Sequence, residues 1–329
     1  MSLKATVIIP AYNAEKTISE TLKGLDKQSI SRNQFEVIVI DDGSTDNTIN
    51  KVKKFKGIQI IQGKHNGPAT ARNNGAKKAN ASIIIFLDSD TIPSPQWLEE
   101  MLKPFDDPDV VGVQGAYKSN QKELIAKFIQ LEIEYRYQKL LSAKNLDWIG
   151  SYSAGYRKEV FLEKGFERDF KQASGEDPEF SYWLQKHGFK LVFQPKALLY
   201  HKHVSSFYEY LKKKFIHAKW RVLLYKMHPD KAVSDSYTPQ TLKLQIIFLI
   251  VVFFSGIFTL FNPSGLIVFA TAGLIFSLLM WPFTFFVMKK DPVLGSLTTS
   301  ILFLQNIAFI LGLSAGFLEF LIKRKSKTN

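Results

Sequence analysis

Two carboxylates spaced one residue apart, Asp88 and Asp90, follow directly after a predicted strand at 82–87. Oxygen ligands of this kind suit Mg²⁺ or Mn²⁺, and such a cation can bridge the two phosphates of a diphosphate. The same residues are also compatible with an Asx turn or a helix cap ahead of Pro93 and Pro95. By itself, therefore, the pair indicates a divalent-cation site only weakly.

Further acidic residues follow a second predicted strand. Asp41 and Asp42 come at the end of the run at 35–41, just before Ser44 and Thr45. Their carboxylates can accept hydrogen bonds from a nucleotide base or ribose. They can equally belong to an ordinary strand-to-helix turn, with Ser44 or Thr45 as the N-cap. Neither G-x-G-x-x-G nor G-x-x-x-x-G-K occurs, so a glycine-rich phosphate loop of those kinds is absent from the sequence.

Short β-rich runs alternate with helical patterns over the first hundred residues. The predicted strands are 5–10, 35–41, 57–61 and 82–87, and the predicted helices are 14–27, 45–54 and 68–79. Nearly unbroken aliphatic strands are typical of parallel sheets covered on both faces. The alternation of strands and helices predicts an open α/β sheet. Ligands bind beyond the carboxyl ends of such strands. We therefore expect the loops at 10–13, 41–44 and 88–91 to converge on one site.

The pattern from 106 to 200 is mixed. It predicts a helix at 121–143, a strand at 148–156, a helix at 177–187 and a strand at 189–193. The strand-like run at 197–200 precedes His201 and His203. If that strand continues, its period of two places both imidazoles on one face, where either could ligate the metal or bind the diphosphate. The alternative is that both histidines are structural.

The composition indicates an anionic partner and restricts the chemistry. The formal net charge is +13, from 43 Lys and Arg against 30 Asp and Glu. The absence of cysteine excludes disulfides, thiolate zinc sites and Cys nucleophiles. The basic excess is concentrated at 202–226 and at the C-terminal end, beside apolar segments. This placement favours anionic membrane lipid over nucleic acid as the partner.

The C-terminal part has the composition of a membrane region. Segment 205–226 interleaves aromatic and basic residues at helical spacing, as in a helix lying in the headgroup layer, although a solvated helix packed on the domain would look similar. Three apolar runs follow at 244–261, 265–288 and 294–322. A membrane span needs roughly 20 apolar residues, so we predict about three transmembrane helices.

The predicted topology contains one conflict. The apolar run at 6–10 is too short for a secretory signal, so the N-terminal part is expected in the cytoplasm of a multi-pass cell-membrane protein. The basic residues at 289–290 then lie inside and the turn at 262–264 lies outside, as the positive-inside tendency prefers. A third full span would place the basic residues at 323–325 outside. Either the third segment is re-entrant or the tendency is broken.

Six ordered motifs resemble glycosyltransferase family 2, a large family of inverting enzymes with the GT-A fold. The motifs are Val7-Ile8-Ile9-Pro10-Ala11-Tyr12-Asn13, Asp41-Asp42-Gly43-Ser44, Gly67-Pro68-Ala69-Thr70-Ala71-Arg72-Asn73, Asp88-Ser89-Asp90, Gly150-Ser151-Tyr152-Ser153-Ala154-Gly155-Tyr156-Arg157 and Gly175-Glu176-Asp177. The resemblance covers residues 4–205. It implies a GT-A catalytic domain at 1–204, followed by an interfacial helix and linker at 205–240 and a transmembrane region at 241–329.

The resemblance also implies roles for individual residues and a nucleotide-sugar donor, UDP- or GDP-linked. Asp177 would be the general base, and Glu176 would help to position the acceptor. Asp90 would hold the metal together with Asp88, with His201 or His203 as a further ligand. The remaining donor-binding residues would be Pro10, Tyr12, Asn13, Asp41, Asp42, Arg72, Asp88 and Ser89.

The chemistry of sugar transfer is consistent with this set. A divalent cation neutralises the charge that develops on the departing diphosphate. An acceptor hydroxyl needs a carboxylate to take its proton, whereas a phosphate acceptor is already ionised. Asp177 thus favours a hydroxyl on a lipid-linked or other membrane-borne acceptor, with a polyprenyl-phosphate sugar synthase as the alternative.

Two other functions are less favoured by the sequence. Processive polysaccharide synthases of the family carry Gln-x-x-Arg-Trp after the base, but this chain has Ile216, Lys219 and Trp220 at the corresponding positions. A non-catalytic nucleotide-sugar-binding protein would be expected to have lost at least one of Asp88, Asp90 and Asp177. We therefore predict transfer of one sugar per encounter.

Overall fold

The computed structural model describes residues 3–143, 146–170, 175–233, 235 and 238–325. The chain forms two compact units. The first comprises Met1–Gln121 and Leu140–Lys202, and the second comprises Lys122–Lys139 and the chain from His203 onward. The first unit ends close to the predicted domain boundary at 204. The segment before Leu140 belongs to the second unit, however, although it lies inside the predicted catalytic domain. The division into functional domains stays a prediction.

The described strands and helices agree with most of the predicted elements. The strands are β1 Ala5–Ala11, β2 Phe35–Asp41, β3 Ile58–Gln62, β4 Ile83–Leu87, β5 Thr91–Pro93, β6 Val110–Lys118, β7 Ser153–Arg157 and β8 Lys190–His201. The helices are α1 Ile18–Asp26, α2 Thr48–Val52, α3 Pro68–Lys78, α4 Trp97–Leu102, α5 Leu124–Ser142, α6 Lys158–Lys164, α7 Glu176–Lys186, α8 Phe207–Met227, α9 Pro229–Val233, α10 Gln240–Thr259, α11 Gly265–Lys290 and α12 Pro292–Lys325. The sequence pattern did not indicate β5, β6, α4, α6 or α9.

One mixed sheet organises the first unit, with strand order β3-β2-β1-β4-β7-β6-β8-β5. The neighbours β3, β2, β1 and β4 are parallel, which confirms the α/β prediction for the N-terminal half. β7 is antiparallel to both β4 and β6, and β5 is antiparallel to β8. Since the ends of β1, β2 and β4 lie at one edge, the residues that follow them are brought to the same place.

Two predicted strands differ from the structure. The predicted strand at 148–156 is wrong at its start, because β7 begins only at Ser153. The backbone N–H of Gly150 donates instead to the Gln114 side chain at 2.7 Å. The predicted runs at 189–193 and 197–200 are one strand, β8, whose register with β6 shifts opposite 114–116. Pro195 lies at this irregularity, where no ladder hydrogen bond is required of it.

Helices cover both faces of the sheet. Val7 and Ile9 of β1 belong to one core cluster with Ile18 of α1 and Trp97 of α4. On the other face, α3 lies against β1 and β2 through Gly75. The core therefore consists of two layers around buried strands, which holds the strand ends in fixed positions.

Replacement of Gly75 by alanine tests this close approach. A Cβ at this position would overlap the Ile8 side chain and lie 3.2 Å from Ile40. We expect Gly75→Ala to lower the free energy of unfolding by about 1–3 kcal/mol, the usual cost of overpacking. Denaturant unfolding measures this change in the free energy of unfolding. Lys77→Ala, an exposed change on the same helix, is the control and should stay within about 0.5 kcal/mol. Equal effects of both changes would contradict the packing argument.

The second unit consists of α5 as far as Lys139 and the helices from α8 onward. Ile125 and Phe128 of α5 pack with Phe276 and Met280 of α11, and this apolar contact explains why α5 clusters with the C-terminal helices. Three helices of the described chain are long and apolar enough to cross a membrane. Their candidate spans are Thr241–Thr259, Gly265–Lys290 and Pro292–Ile322.

Candidate active site

The loops after β1 and β2 are hydrogen-bonded to each other. The N–H of Asn13 donates to Ser44 Oγ at 2.9 Å, and the N–H of Thr45 donates to Asn13 Oδ1 at 2.9 Å. Asn13 has a φ of 49°, a conformation that asparagine tolerates better than most residues. Pro10 lies half-buried at the end of β1, opposite Ile40 of β2. The two predicted nucleotide loops are thus adjacent, as expected.

Asp41 and Asp42 are both buried and serve the loop structure. Asp41 accepts from the N–H of Ser44 at 3.3 Å. Asp42 accepts from the N–H groups of Asn66 and Gly67 at 2.9 and 2.8 Å. These bonds leave part of the carboxylate acceptor capacity for a ligand, because each carboxylate has about four lone-pair sites.

Tyr12 and His65 form an aromatic surface at the same edge. Their rings stack with centroids 4.0 Å apart, and Tyr12 is 46% exposed. Flat exposed rings of this kind are suitable for stacking on a nucleobase. Sequence reasoning missed His65, for which the sequence offers only the turn-forming residues Asn66 and Gly67 as a signal.

A buried guanidinium joins two predicted site motifs. Arg72 of α3 donates to Asp88 Oδ1 at 2.8 Å and to Glu176 Oε1 at 3.1 Å. Burial alone would lower the pKa of Arg72, but the charges of Asp88 and Glu176 outweigh it and raise that pKa. Arg72 is therefore a permanent cation that holds the end of β4 next to the start of α7.

The two adjacent carboxylates of α7 are placed differently. Glu176 is 1% exposed and paired with Arg72, whereas Asp177 is half-buried and accepts from the N–H of Ser151 at 3.1 Å. Burial and then the charge of Glu176 raise the pKa of the Asp177 carboxyl to about 7. Protein atoms surround most of this carboxylate, but part of the Asp177 side chain is exposed to solvent. A group with this pKa and this access is suited to proton transfer near neutral pH.

Backbone contacts fix the loop after β4. Thr91 Oγ1 donates to the carbonyl oxygen of Asp88 at 2.8 Å, and Thr21 Oγ1 donates to that of Ser89 at 3.0 Å. Asp88 keeps 30% of its side chain exposed while it accepts from Arg72. Ser89 is partly exposed next to it.

The short strand β5 determines the position of Asp90. β5 pairs with the end of β8 so that Thr91 lies opposite His201. As a result, Asp90 Oδ2 lies 3.4 Å from His201 Nε2, and the Asp90 side chain is 52% exposed. Oxygen and imidazole donors therefore face one another at the edge where the diphosphate is expected.

Two tyrosines hold the His201 ring. Tyr117 of β6 stacks on His201 with centroids 4.8 Å apart, and Tyr152 stacks on Tyr117 at 3.9 Å. Gln114 Nε2 donates to the Tyr152 hydroxyl at 2.8 Å. Sequence reasoning did not identify Tyr117 or Gln114, because their partners lie far along the chain.

The strand does not continue beyond His201, so the condition for His201 and His203 to share a strand face is not met. β8 ends at His201, and His203 belongs to the second unit, where its Nε2 lies 3.0 Å from Gln130 Oε1. Among the described residues, those that follow His201 pair with no other strand. Within the described chain, no three His, Asp or Glu side chains form a ready-made metal cluster.

The mixed sheet and the helices that cover it have the GT-A fold. A solved structure of the same fold is "Mannosyltransferase PcManGT from Pyrobaculum calidifontis in complex with GDP-Man and Mn2+". The TM-score is 0.62 at 19% identity, with 97% of this chain and 88% of that chain covered.

The family follows from sequence. Residues 6–163 match the model "Glycosyl transferase family 2", so this part of the chain is a glycosyltransferase family 2 domain. Its relatives include the pre-mycofactocin glycosyltransferase of Mycobacterium tuberculosis, 28% identical over 69% of this chain and 48% of the relative. Another is the "Dolichyl N-acetyl-alpha-D-glucosaminyl phosphate 3-beta-D-2,3-diacetamido-2,3-dideoxy-beta-D-glucuronosyltransferase" of Methanococcus voltae, 28% identical over 62% of this chain and 66% of the relative. The chain thus spans about half to two thirds of these relatives.

Proposed function

We propose that the protein is an inverting glycosyltransferase that moves one sugar from a UDP- or GDP-sugar to a hydroxyl of a membrane-borne, lipid-linked acceptor. The observation that supports this proposal is the link from Asp88 through Arg72 to Glu176, the residue directly before Asp177. The donor loop and a carboxylate with a pKa near 7 then lie near the same guanidinium. This is the arrangement that direct displacement at the anomeric carbon requires.

In this mechanism each residue has a separate task. Asp177 takes the proton from the acceptor hydroxyl as the oxygen attacks. Arg72 is a positioning residue, because it is buried and reaches the reaction only through Asp88 and Glu176. Glu176, also buried, acts by holding Arg72 and by raising the pKa of Asp177 rather than by touching the acceptor. Tyr12 and His65 stack on the base, and Asp41 and Asp42 accept from the base or ribose.

The residues present fit a divalent cation that is shared with the substrate. Asp90 and His201 supply one oxygen and one nitrogen donor 3.4 Å apart, and Asp88 lies in the same loop. Two protein donors alone would bind Mg²⁺ or Mn²⁺ weakly, so diphosphate oxygens are expected to complete the coordination. When bound, the cation would neutralise charge on the departing diphosphate. The neighbour of the same fold was solved with GDP-Man and Mn²⁺, which supports this assignment.

Removal of His201 tests the cation site. We expect His201→Ala to weaken Mn²⁺ binding in the presence of a nucleoside diphosphate by roughly tenfold or more, since even supporting residues contribute on this scale. Electron paramagnetic resonance of free Mn²⁺ measures the affinity without any turnover. His187→Ala is the matched control, because His187 is exposed and contacts the carbonyl of Trp183. Unchanged Mn²⁺ affinity in His201→Ala would remove His201 from the site.

The acceptor class rests on two supports. The pKa of Asp177 suits it to take a proton from an acceptor hydroxyl. An acceptor phosphate is already ionised and needs no such base. The Methanococcus voltae relative is named for transfer to a sugar already attached to dolichyl phosphate. We further propose that the protein is a multi-pass cell-membrane protein, that its catalytic domain faces the cytoplasm and that anionic lipid binds its basic helix α8.

The product linkage tests the proposed function. UDP- and GDP-sugars are screened with extracted membrane lipids and Mn²⁺, and the lipid products are analysed by mass spectrometry before and after mild acid. We expect a product with one added sugar that survives the acid, since glycosides of hydroxyls resist conditions that cleave glycosyl phosphates. An acid-labile product would instead support the polyprenyl-phosphate synthase. Tight donor binding without turnover would support a non-catalytic binding protein.

A further inference from the structure

The loop at 149–152, which precedes β7, is held by three consecutive backbone N–H groups. Their acceptors are side-chain oxygens: Ser181 Oγ for Ile149 at 3.1 Å, Gln114 Oε1 for Gly150 at 2.7 Å and Asp177 Oδ2 for Ser151 at 3.1 Å. Ser181 and Asp177 belong to α7, whereas Gln114 belongs to β6. The loop is therefore bound both to the helix that carries the proposed base and to the sheet.

Gln114 holds this loop from within the sheet. Its side chain is fully buried, and its Nε2 donates to the Tyr152 hydroxyl at 2.8 Å. Because a backbone N–H can only donate, the contact with Gly150 fixes the orientation of the amide and leaves its NH₂ group for Tyr152. The two ends of one amide thus bracket Ser151, the residue whose N–H binds Asp177.

Tyr152 extends this contact to the other side of the site. Its ring stacks on Tyr117 and Tyr117 stacks on His201, with an interplanar angle of 21° in both pairs, and these three rings are termed the ring stack. Gln114 and Tyr117 are three residues apart and would lie on opposite faces of a regular strand. The register of β6 with β8 shifts between Gln114 and Ala116, and such an irregularity can redirect a side chain. Both side chains consequently contact Tyr152.

We propose that Gln114 is a positioning residue that aligns both sides of the site. It holds the loop at 149–152, so that the loop keeps Asp177 in place on one side and, through the ring stack, His201 on the other. Gln114 is fully buried and acts only through these neighbours. The inference rests on the proposed function, because that function assigns Asp177 to the acceptor and His201 to the cation.

A purely structural amide would behave differently when it is removed. Its loss would lower the stability of the protein and change nothing specific at the site. Loss of a positioning amide changes two further properties, the affinity for the cation and the ionisation of the base. These properties belong to His201 and Asp177, which lie on different elements and share this loop as a common contact.

Gln114→Met tests the assignment, because methionine has a similar length but cannot donate and accepts only weakly. In the full-length protein in detergent, we expect the affinity for Mn²⁺ in the presence of UDP or GDP to fall roughly three- to tenfold. This is somewhat less than the usual effect of removing a direct hydrogen-bond partner of a metal ligand. Electron paramagnetic resonance of free Mn²⁺ measures the affinity without turnover.

The pH–rate profile of Gln114→Met measures the other side of the site. The N–H of Ser151 lowers the pKa of Asp177, so a loosened loop should move the midpoint upward by roughly half a unit to one unit. The other groups whose charge acts on Asp177, namely Glu176, Arg72 and the Tyr156 hydroxyl, are unchanged in this variant.

The matched control is Gln59→Met, which replaces an exposed glutamine of the edge strand β3 and should leave both quantities unchanged. A folded Gln114→Met protein in which either quantity is unchanged would overturn the proposal, because one amide is assigned to both. Thermal melting verifies folding. If Gln114→Met does not fold, Tyr152→Phe takes its place, since it removes only the hydroxyl and is judged by the same two measurements.

Tyr117→Leu separates the two routes from Gln114. Leucine breaks the ring stack but leaves the hydrogen bonds of the loop in place, so we expect weaker Mn²⁺ binding with an unchanged pH midpoint. Unchanged Mn²⁺ affinity in this variant would show that the ring stack does not position His201 and would overturn the proposal.

Hydrogen exchange gives a readout that is independent of sugar transfer. Coupling between two sites is reciprocal, so binding of Mn²⁺ with UDP or GDP should slow the exchange of the amides at 149–152. Mass spectrometry of the corresponding peptide should show this slowing in the wild type but not in Tyr117→Leu. No slowing in the wild type, or equal slowing in both proteins, would overturn the proposal. Since Mn²⁺ affinity and exchange need no turnover, failure of the proposed function is distinguishable from failure of this inference.

Discussion

Asp177→Asn is expected to lower the turnover number by roughly 10²–10⁴-fold, the usual contribution of a general base. The amide cannot accept the acceptor proton, but it keeps the size of the side chain and can still accept from the N–H of Ser151. Donor binding should change less than about threefold, because Asp177 faces the acceptor in the proposed mechanism. Steady-state kinetics measures the turnover number, and calorimetric titration with the nucleoside diphosphate measures binding at the donor site.

The control is Asp106→Asn, which removes an exposed carboxylate outside the site and should leave turnover unchanged. Full turnover in Asp177→Asn would rule out the hydroxyl-acceptor mechanism. A parallel loss of donor affinity would place Asp177 in the donor site.

The pH dependence of the wild-type protein gives an independent readout of the same group. The raised pKa of Asp177, about 7, predicts that kcat rises with pH and levels off above about pH 8. The effect on stability has the opposite sign. The folded state holds this proton up to about pH 7 and the unfolded state releases it near its ordinary pKa, so stability is lost as pH rises between about 4 and 7. Asp177→Asn should therefore be more stable than wild type at pH 8, by about 1–4 kcal/mol, with the difference vanishing near pH 4.

Arg72→Leu is expected to lower the free energy of unfolding by about 3–5 kcal/mol, the cost of breaking a buried ion pair from one side. Leucine fills part of the volume but leaves Glu176, which is 1% exposed, without its counter-ion. Denaturant unfolding of the full-length protein in detergent measures the loss. Because Arg72 also lowers the pKa of Asp177, the midpoint of the pH–rate profile should move upward in this variant.

A double-mutant comparison separates the ion pair from simple loss of packing. Arg72→Leu combined with Glu176→Gln removes the uncompensated charge, so it should be more stable than Arg72→Leu alone by more than 1 kcal/mol. Arg72→Lys keeps the charge without the two-pronged guanidinium and is expected to be intermediate. No gain in the double variant, together with an unmoved pH midpoint, would contradict the positioning role of Arg72.

The parts of the fold that were predicted correctly are those encoded by local pattern. The aliphatic runs of β1 and β2 and the helices between them were recognised because burial on both faces requires apolar residues in sequence order. β5, in contrast, is three residues long, and its partner at Thr91↔His201 is more than a hundred residues away. Nothing in the local pattern of 91–93 indicates a strand.

The residues of the candidate site were likewise predicted only in part. The motifs identified Glu176 and Asp177 together, and by residue type either could serve as a base. The tertiary structure buries one against Arg72 and leaves the other partly open, because Arg72 comes from a helix about a hundred residues earlier. His201 and His203 looked equivalent by their spacing, but the strand ends at the first of them.

The sequence by itself determined that the chain has a family 2 glycosyltransferase domain and an apolar C-terminal region, since ordered motifs and hydropathy are local properties. Only the tertiary structure decided which carboxylate is partly exposed to solvent and which histidine faces Asp90. It also placed α8 against α12, a contact that hydropathy cannot detect. Each of these depends on contacts between residues distant in the chain, and burial and pairing, rather than residue type, set the charge and access of each group.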